Sequence, residues 1–491
     1  MIRVITLLLG LALAAVALWQ LEAQRAGLEI STRTVGETPV TRTAQPGAEG
    51  PVVVVAHGFA GSRQMMQAYA HDLARAGYRV WAFDFEGHGR HPHPMSGDVD
   101  SIDGTTQRLI AQTQDVVTAA TAREGWTGEV ALLGHSMATD IIIRTAIEDE
   151  RIGPVVAISA FSRAVTASAP DTLLLITGAW ESGLRDFARE AVAMVDPGKG
   201  EGETARAGEV VRRAVVAPLA EHVAVLHSRA GRAGAVDWLD AAYGRASDIS
   251  VRATGPWFMA LMVAIVALAA PLARLLPRRA GPAPAPLAPG LFALVVTLPA
   301  VLAPLAAVQV EARLLPVLVA DYLALHLALY GALQLALLWG AGRRPDALRP
   351  VAMLALLAWG LGVFGLALDR YGANFWPTPE RLTIIAALGL GAVPFMLADA
   401  MLARGAAPWQ RVVTRAGFLL SLGLAVLLDT ERLFFLAMIA PVILLFFVIF
   451  GLMGRWVAAR AGAASAGVAL GLILAWALGV SFPLFAPGGA G

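Results

Sequence analysis

From residue 255 onward the chain consists of long apolar segments joined by short connections. Eight segments share near-absence of charge and a length close to 20 residues: 256–276, 289–309, 314–340, 350–368, 382–403, 412–428, 433–453 and 466–486. About 20 apolar residues in a helix span the hydrocarbon core of a bilayer. Because lipid offers no hydrogen bonds to the backbone, such segments are restricted to helices. Residues 254–491 are therefore predicted to form an all-α domain of about eight transmembrane helices.

A further apolar segment occupies residues 1–21, where Arg3 is followed by a nearly uninterrupted apolar run. The run is long enough to cross a bilayer. We interpret it as an uncleaved transmembrane anchor, because LeuGluAlaGln at its end matches a small-residue cleavage site poorly. A secretory signal peptide is the alternative. In both cases the segment that follows is expected to be exported across the membrane.

The distribution of arginine predicts the orientation of these segments. With the N-terminus inside, the inside connections contain Arg274, Arg278, Arg279, Arg343, Arg344, Arg349, Arg404, Arg411, Arg415, Arg455 and Arg460. The outside connections contain Arg313, Arg370, Arg381 and Arg432. The excess on the inside satisfies the positive-inside rule and places residues 22–253 outside. The sequence thus predicts an integral protein of a bacterial inner membrane with a periplasmic domain.

Composition excludes several classes of function. The chain has no cysteine, which rules out disulfides, thiolate metal sites and cysteine nucleophiles. The formal net charge is +1, so no strong field favours a nucleic-acid partner. Only 15% of the residues are charged, which is low for a soluble protein and is explained by one ordinary soluble domain joined to an apolar one.

Residues 22–253 have the composition of that soluble domain. Short apolar runs predict buried strands at 51–57, 78–84, 128–135, 153–160, 171–178 and 212–219. Helical periodicity at 62–77 and 105–125 lies between them, and 28–35 with 38–44 predicts an antiparallel pair. The polar, glycine-rich stretch 196–209 is predicted to be a surface loop. This alternation indicates an α/β fold with a mostly parallel sheet and helices on both faces.

The motif GlyHisSerMetAla at 134–138 lies between a predicted strand and a predicted helix. A sharp strand–turn–helix exposes the Oγ of its central serine above the sheet edge. The N-terminus of the helix also favours negative charge that develops there. Five-residue patterns arise by chance, so the interpretation depends on this context. It predicts that Ser136 is a nucleophile.

HisGlyPhe at 57–59 follows the predicted central strand. In acyl-transfer enzymes of this layout, the loop after that strand donates a backbone N–H to the oxyanion hole. The second donor is the residue after the nucleophile. We therefore expect the N–H groups of Phe59 and Met137 to form the oxyanion hole, and His57 to shape the loop.

Two further side chains are expected to complete the site. Glu181 follows the strand that ends near Gly178, and His222 follows the last predicted strand. Carboxyl ends of parallel strands meet at one edge of an open sheet, where ligands bind. His222 would accept the proton of Ser136, and Glu181 would orient His222. The competing residues are His227 for the base and Asp171, Asp186 and Glu221 for the acid.

In these motifs the region resembles the α/β-hydrolase superfamily, and especially its small esterases, monoacylglycerol lipases and serine aminopeptidases. The resemblance is carried by HGFAGS (57–62), DFEGHG (84–89), GHSMA (134–138), the GAWE loop (178–181) and His222. It covers roughly residues 28–250 and implies a doubly wound, mostly parallel sheet. The sequence departs from the usual pattern in two ways. Ala138 replaces a glycine, and the connection before Asp171 is too short for the cap domain that this superfamily often inserts.

Other ionisable residues allow alternative functions. His91, His93, Asp98 and Asp100 could suggest a metal site, but no ligand set of defined geometry is evident, and a polar loop is the simpler interpretation. Asp321, His326 and Asp399 in the apolar half could form a proton or ion path. Interfacial placement is the alternative for Asp321 and Asp399, which lie near the ends of their segments, whereas His326 lies deeper.

The sequence as a whole predicts a membrane-anchored serine hydrolase with domains at 1–21, 22–253 and 254–491. The expected substrate is a hydrophobic or acyl ester, with membrane lipids as surroundings, no cofactor and no metal. A serine peptidase of the aminopeptidase type is one alternative. The other is a transporter or scaffold whose hydrolase domain is regulatory or degenerate.

Overall fold

The computed structural model of the chain describes residues 2–98 and 102–486, so residue 1, residues 99–101 with Asp100, and residues 487–491 lie outside the description. The described chain divides into two compact units. The sheet unit comprises 16–260, 369–374 and 483–486. The helical unit comprises 2–15, 261–368 and 375–482. Two short segments from the apolar half of the sequence therefore belong to the sheet unit.

One nine-stranded sheet forms the centre of the sheet unit. Its strands in chain order are β1 (Glu29–Val35), β2 (Thr38–Ala44), β3 (Val52–Ala56), β4 (Arg79–Phe83), β5 (Val130–His135), β6 (Ile152–Ile158), β7 (Thr172–Gly178), β8 (Thr204–Ala207) and β9 (Val210–Ala217). The spatial order is β1-β2-β4-β3-β5-β6-β7-β9-β8. Strands β4, β3, β5, β6, β7 and β9 are parallel, whereas β1, β2 and β8 pair antiparallel at the two ends. The predicted α/β class is confirmed.

Strand β8 corrects one sequence expectation. The stretch 196–209 was expected to be entirely loop, but its second half pairs with β9 from Thr204↔Arg213 to Ala207↔Val210. The polar residues are compatible with a strand because β8 is at the edge of the sheet, where half of its side chains face solvent. A four-residue strand also gives too short an alternation to recognise in a sequence.

Helices cover both faces of the sheet. They are α2 (Gln67–Arg75), α3 (Gln107–Glu124), α4 (Met137–Glu148), α5 (Ser182–Ala193) and α6 (Arg229–Ala242), whereas the apolar helix α1 (Ile2–Glu22) precedes β1 and is not one of them. Val53, Val55 and Val80 pack with α2 and α6 in one buried cluster. Trp81, the neighbour of Val80, points to the other face and donates its Nε1–H to Glu124 in α3 at 2.9 Å. Alternation of side chains along the strands thus produces the two layers.

The register of the parallel strands brings their carboxyl ends together. Ala56 of β3 lies beside Gly134 of β5, and His135 beside Ile158 of β6. Gly178 of β7 lies beside Ala217 of β9. The loops that leave β3, β5, β6, β7 and β9 therefore start at a single edge of the sheet, where a site can be assembled.

The remaining helices are long and apolar. They are α7 (Gly255–Ala273), α8 (Pro289–Ala307), α9 (Ala320–Gly340), α10 (Pro350–Leu357), α11 (Gly365–Tyr371), α12 (Pro379–Ala403), α13 (Pro408–Leu428), α14 (Thr430–Leu433), α15 (Phe435–Ala461) and α16 (Ala463–Ser481). A π-helical stretch, Ala358–Phe364, joins α10 to α11. The last apolar segment was expected to run to 486, but α16 ends at Ser481 and the following residues leave the helical unit.

Within residues 2–98 and 102–486, nine helices are long and apolar enough to cross a membrane, the first at Ile5–Glu22. Their outward surfaces carry large apolar side chains: Leu9 is 65% exposed, and Leu390 and Leu427 are each 80% exposed. In water such surfaces would be unfavourable, whereas in lipid they are not. The helical unit is therefore compatible with insertion into a bilayer.

The ionisable residues of the apolar half have local partners. Asp321 accepts hydrogen bonds from the backbone N–H groups of Leu314 and Leu315 at 3.2 and 3.0 Å. His326 contacts the hydroxyl groups of Tyr322 and Ser421, both at 3.0 Å. Asp399 pairs with Arg415 at 3.0 Å. No hydrogen bond among the described residues joins Asp321, His326 and Asp399 to one another, so a proton or ion path stays a prediction.

We expect the buried histidines of the sheet unit to make the fold sensitive to acid. Burial lowers the pKa of His71 to about 3 and those of His135 and His227 to about 4, from 6.5. As pH falls below 6.5, the unfolded chain takes up protons that the folded chain does not. The free energy of unfolding should then fall by about 1.4 kcal/mol per pH unit for each of these histidines, down to its folded pKa.

Thermal unfolding of the full chain in detergent at pH 7.5 and pH 5 measures this effect. The melting temperature should drop at pH 5, and the drop should be smaller for His71→Gln. His93 is half exposed, so His93→Gln serves as the control and should behave like the wild type. An equal drop in all three proteins would show that buried histidines do not cause it.

Candidate active site

Ser136 forms a sharp turn between β5 and α4. Its φ is 55° and its ψ is −121°, a conformation that L-residues rarely adopt. The backbone N–H of Ser136 donates to the carbonyl of Ile158 in β6 at 2.9 Å, which anchors the turn to the sheet. The serine side chain is thereby lifted above the carboxyl edge of the sheet, at the N-terminus of α4.

A chain of two hydrogen bonds connects Ser136 to Glu181. His222 Nε2 lies 2.8 Å from Ser136 Oγ, and His222 Nδ1 lies 2.6 Å from Glu181 Oε1. The imidazole is 44% exposed, so a ligand can reach it, whereas the carboxylate is 6% exposed. His222 is 86 positions from Ser136 and 41 positions from Glu181 in the sequence. The loops after β5, β7 and β9 thus bring the three residues into one line.

The second oxygen of Glu181 is also held. Oε2 accepts hydrogen bonds from Ser159 Oγ at 2.8 Å and from the backbone N–H of Gly178 at 2.6 Å. Burial by itself raises the pKa of Glu181, but the hydrogen bonds from His222, Gly178 and Ser159 outweigh it, and the net pKa is lowered. Glu181 is therefore ionised at neutral pH and can stabilise a cation on His222.

His135 supports the loop that carries His222. Its Nε2 lies 2.8 Å from the backbone carbonyl of His222. Burial and the nearby His222 lower the pKa of His135 to about 4, so the ring is neutral at pH 7 and donates this hydrogen bond from Nε2. Neither His135 nor Ser159 was expected from the sequence. The only signal was position, because each ends or directly follows a parallel strand.

Small residues allow close approach around the turn. A Cβ on Gly58 would lie 2.9 Å from Ser136 Cβ, so the loop after β3 passes directly beside the serine. A Cβ on Gly134 would lie 3.1 Å from Ala138 Cβ. Alanine at 138 is accommodated because Gly134, which faces it, has no side chain. The departure from the usual glycine therefore does not disturb the turn.

The two expected oxyanion donors lie on either side of this contact. Phe59 follows Gly58 in the loop beside Ser136, and Met137 is the first residue of α4. An N–H in the first turn of a helix has no acceptor within that helix. The arrangement can therefore present backbone donors to an oxygen bound next to Ser136 Oγ.

The competing candidates have other contacts. Asp171 immediately precedes β7, at the opposite edge of the sheet, and Asp186 pairs with Arg189 on α5. Glu221 accepts hydrogen bonds from the backbone N–H groups of Val223 and Ala224 at 2.9 and 2.8 Å. His227 contacts Thr254 Oγ1 at 3.1 Å. The structure brings only Glu181 and His222, of these candidates, into line with Ser136.

The suggested metal ligands also have separate partners. His91 Nε2 contacts Thr38 Oγ1 at 3.4 Å, and His93 contacts Glu37. Within the described residues, no group of three or more histidine, aspartate or glutamate side chains could hold a metal ion. Asp100 lies outside those residues, so the absence of a metal stays a prediction.

Comparison with known families gives an independent result. Residues 48–186 match the family model described as serine aminopeptidase, S33, a span that includes Phe59, Ser136 and Glu181 and ends before His222. The order of the strands agrees with this match. The sheet unit has the α/β-hydrolase fold. No curated protein matches the sequence.

Several solved hydrolases are similar to part of the chain. A predicted CIB-like hydrolase from Thermoplasma acidophilum is 16% identical, with 43% of this chain and 97% of that chain covered and a TM-score of 0.35. A dienelactone hydrolase from Anabaena variabilis is 19% identical over 44% and 97%, with a TM-score of 0.32. An epoxide hydrolase from Vigna radiata is 23% identical over 27% and 41%, with a TM-score of 0.22.

Exposed apolar side chains surround the hydrolase site. Phe161, Trp180 and Leu219 each lie two to three residues beyond the carboxyl end of β6, β7 or β9, and are 56%, 67% and 80% exposed. Val223 next to His222 is 49% exposed. Apolar side chains clustered at a functional edge mark a surface for apolar ligands or membranes. Only thirteen residues, 159–171, separate β6 from β7, which is too few for a cap domain inserted at that point.

Two distant segments contact the loops of the hydrolase site. Leu484 donates its N–H to the carbonyl of Gly87 and accepts from the N–H of Met95, both at 2.8 Å. Phe485 pairs with Met95 as a parallel bridge, and its ring lies 6.4 Å from that of Phe59. The loop that carries the expected oxyanion donor is therefore in contact with residues that follow the last helix.

The second segment is 369–374. Arg90 donates to both carboxylate oxygens of Asp369 at 2.7 Å and from Nε to Asn374 Oδ1 at 2.9 Å. The N–H of Asn374 donates to the Oγ of buried Ser62 at 3.0 Å. Since Ser62 ends the loop after β3, residues 369–374 brace that loop and the one around Arg90 together.

We expect Arg90→Ala to loosen both loops. Hydrogen bonds between charged groups contribute about 1.5–3 kcal/mol, so the amides of 57–62 and 84–95 should exchange with deuterium about tenfold faster or more. Hydrogen exchange with mass spectrometry on the full chain measures this rate. Arg151→Ala removes a similar pair with Asp149 elsewhere and is the control. Unchanged exchange in Arg90→Ala would mean that the segment does not brace the loops.

Proposed function

We propose that the protein is a serine hydrolase in which Ser136 is the nucleophile, His222 the general base and Glu181 the residue that orients it. The observation that supports this most directly is the continuous hydrogen-bonded line, with 2.8 Å from Ser136 Oγ to His222 Nε2 and 2.6 Å from His222 Nδ1 to Glu181 Oε1. Nucleophile, base and orienting acid within hydrogen-bond reach are the requirement for covalent catalysis by serine.

In the first half-reaction, Ser136 Oγ attacks the carbonyl carbon of the substrate while His222 Nε2 accepts the hydroxyl proton. The carbonyl oxygen becomes an oxyanion, which the N–H groups of Phe59 and Met137 stabilise. Ionised Glu181 stabilises the imidazolium. When the tetrahedral intermediate collapses, the bond to the leaving group breaks, and His222 returns the proton to it. An acyl-serine remains.

Water completes the cycle. His222 accepts a proton from the water as its oxygen attacks the acyl carbon. When the second tetrahedral intermediate collapses, the bond to Ser136 Oγ breaks, His222 returns the proton to that oxygen, and the carboxylic acid is released. The 44% exposure of the imidazole allows water to reach it without a conformational change.

The proposed substrate is an ester with an apolar acyl chain. Phe161, Trp180, Leu219 and Val223 provide an exposed apolar rim on the edge of the sheet that carries Ser136. Burying such a rim against an acyl chain is favourable at about 0.8 kcal/mol per methylene. A polar ester would gain nothing from this surface.

An aminopeptidase is the second candidate, favoured by the description of the family model. It would need a carboxylate in the site to bind the amino terminus of a peptide. Asp140, in the first turn of α4, is already bonded to Arg144 and Ser162. Glu221, next to His222, is bonded to two backbone N–H groups. These partners favour the ester over the peptide.

We further propose that the apolar helices anchor the hydrolase in a bacterial inner membrane with its active site on the periplasmic side. The excess of arginine in the connections predicted to be inside supports this orientation. A transporter or scaffold with a degenerate hydrolase is less well supported, since a degenerate site would not keep the line from Ser136 to Glu181 intact.

A fluorophosphonate probe tests the nucleophile. Wild-type protein in membranes should be labelled and Ser136→Ala should not, because the probe reacts only with an activated serine. For Glu181→Gln the labelling rate should fall by about 10²-fold or more, because the base loses its orienting charge. Ser182→Ala, beside Glu181 but outside the hydrogen-bonded line, should label normally.

The same experiment reports on orientation. A membrane-impermeant probe should label Ser136 in intact spheroplasts as strongly as in permeabilised ones if the site is periplasmic. Absence of labelling in folded wild-type protein under both conditions would contradict the serine mechanism. Labelling only after permeabilisation would contradict the orientation alone.

Esters of graded chain length test the substrate class. With 4-nitrophenyl esters, kcat/KM should rise with acyl length by up to about fourfold per buried methylene. Trp180→Ser should flatten this dependence, whereas Met194→Ser, exposed at the far end of α5, should leave it unchanged. Faster turnover of alanine 4-nitroanilide than of any ester would favour the aminopeptidase instead.

A further inference from the structure

The helical unit contains a large cavity that none of the proposed chemistry uses. Its volume is about 750 Å³, which is the size of a site for a small organic ligand. It lies among the end of α12, the start of α13, the second half of α15 and the start of α16. The proline-rich connection between α7 and α8 provides part of its wall through residues 281–283.

Positive charge dominates the cavity lining. Five arginines line it, at positions 278, 404, 411, 415 and 455, against the single carboxylate of Asp399. Asp399 pairs with Arg415, and Arg404 pairs with Asp346. The side chains of Arg278, Arg411 and Arg455 form no hydrogen bond or ion pair with any residue in the described part of the chain. Arg411 Nε is buried without a partner.

Burying a guanidinium group without a counter-charge costs free energy, and clustering several of them adds repulsion between like charges. A bound anion reduces both the burial cost and the repulsion. Arginine binds phosphate and carboxylate groups in a planar, bidentate geometry. The three unpartnered arginines therefore provide a site for an anionic head group.

The rest of the lining is apolar. Leu419, Leu444, Phe447, Val448 and Leu470 are among the residues that form it. Leu444 and Val448 are also 52% and 55% exposed on the outside of α15, so the apolar wall continues onto the surface of the helical unit. A free inorganic ion would leave this wall uncovered, whereas an acyl chain would cover it.

We propose that this cavity binds an anionic amphiphile, with a phosphate or carboxylate head on the unpartnered arginines and an acyl chain along the wall of α13 and α15. Anionic phospholipid and free fatty acid share this chemistry. Basic cavities between membrane helices are a known means of recognising lipid head groups. The site is independent of the proposed hydrolase mechanism.

Binding to the purified full chain in a neutral detergent tests the proposal. Native mass spectrometry during titration gives the dissociation constants of phosphatidylglycerol, phosphatidylcholine, oleate and inorganic phosphate. Phosphatidylglycerol should bind one site at least about tenfold more tightly than phosphatidylcholine, because each charged hydrogen bond to arginine contributes strongly. The pair Arg411→Gln and Arg455→Gln should abolish that preference.

The control removes the same charge outside the cavity. Arg274 and Arg279 are exposed and do not line the cavity, so Arg274→Gln with Arg279→Gln should keep the preference. Val448→Trp keeps every charge but fills the apolar wall, and should weaken phosphatidylglycerol binding. Fluorophosphonate labelling or an unchanged melting temperature shows that each variant is folded.

Competition by oleate would support the proposal and identify fatty acid as a source of the ligand, whereas binding of phosphatidylglycerol alone would support it with phospholipid as the source. Equal affinity for the two phospholipids would overturn it. So would an equal loss in the Arg274 and Arg279 control, which would indicate attraction by overall charge, or binding of inorganic phosphate as tight as that of phosphatidylglycerol.

Discussion

Ser136 is held at φ 55° and ψ −121° between β5 and α4, a conformation that costs an L-residue about 1–3 kcal/mol. Hydrogen bonds of the parallel sheet offset this conformational cost, because β5 is hydrogen-bonded on both sides and the N–H of Ser136 is bonded to β6. Once the serine is lifted above the sheet, its neighbours must be small. A Cβ on Gly58 would lie 2.9 Å from Ser136 Cβ, and one on Gly134 would lie 3.1 Å from Ala138 Cβ in the helix that follows the serine. The loop after β3, and with it Phe59, is positioned by this requirement.

Local patterns in the sequence predicted much of this arrangement. Buried parallel strands are continuous apolar runs, so β3 to β7 and β9 could be recognised from composition alone. Parallel strands also deliver their following loops to one edge, which is why Ser136, Glu181 and His222 could be grouped without knowing any distance. The length and apolarity of the later segments likewise predicted the helices, although their ends shifted by several residues, most at α15, which continues to Ala461 rather than 453.

The remaining features depend on contacts that have no local signal. Strand β8 is too short and polar to alternate visibly. Ser159 and His135 act through single hydrogen bonds to Glu181 and to the backbone of His222. Segment 369–374 looks like any connection between apolar helices, and its relation to Arg90, about 280 positions earlier, follows only from the folded chain. The proline-rich stretch after α7 likewise became a cavity wall through packing rather than through its composition.

The backbone pairing of Leu484 with Gly87 and Met95 has a consequence for biosynthesis. A ribosome completes the sheet early, since β9 ends at Ala217, but it releases residues 483–486 only after every apolar helix has been made. Until then the loop bearing Phe59 lacks contact with Phe485. A nascent or truncated chain would therefore hold an assembled sheet with an unsupported loop, and that loop would gain its contact with Phe485 only when translation has passed the last helix.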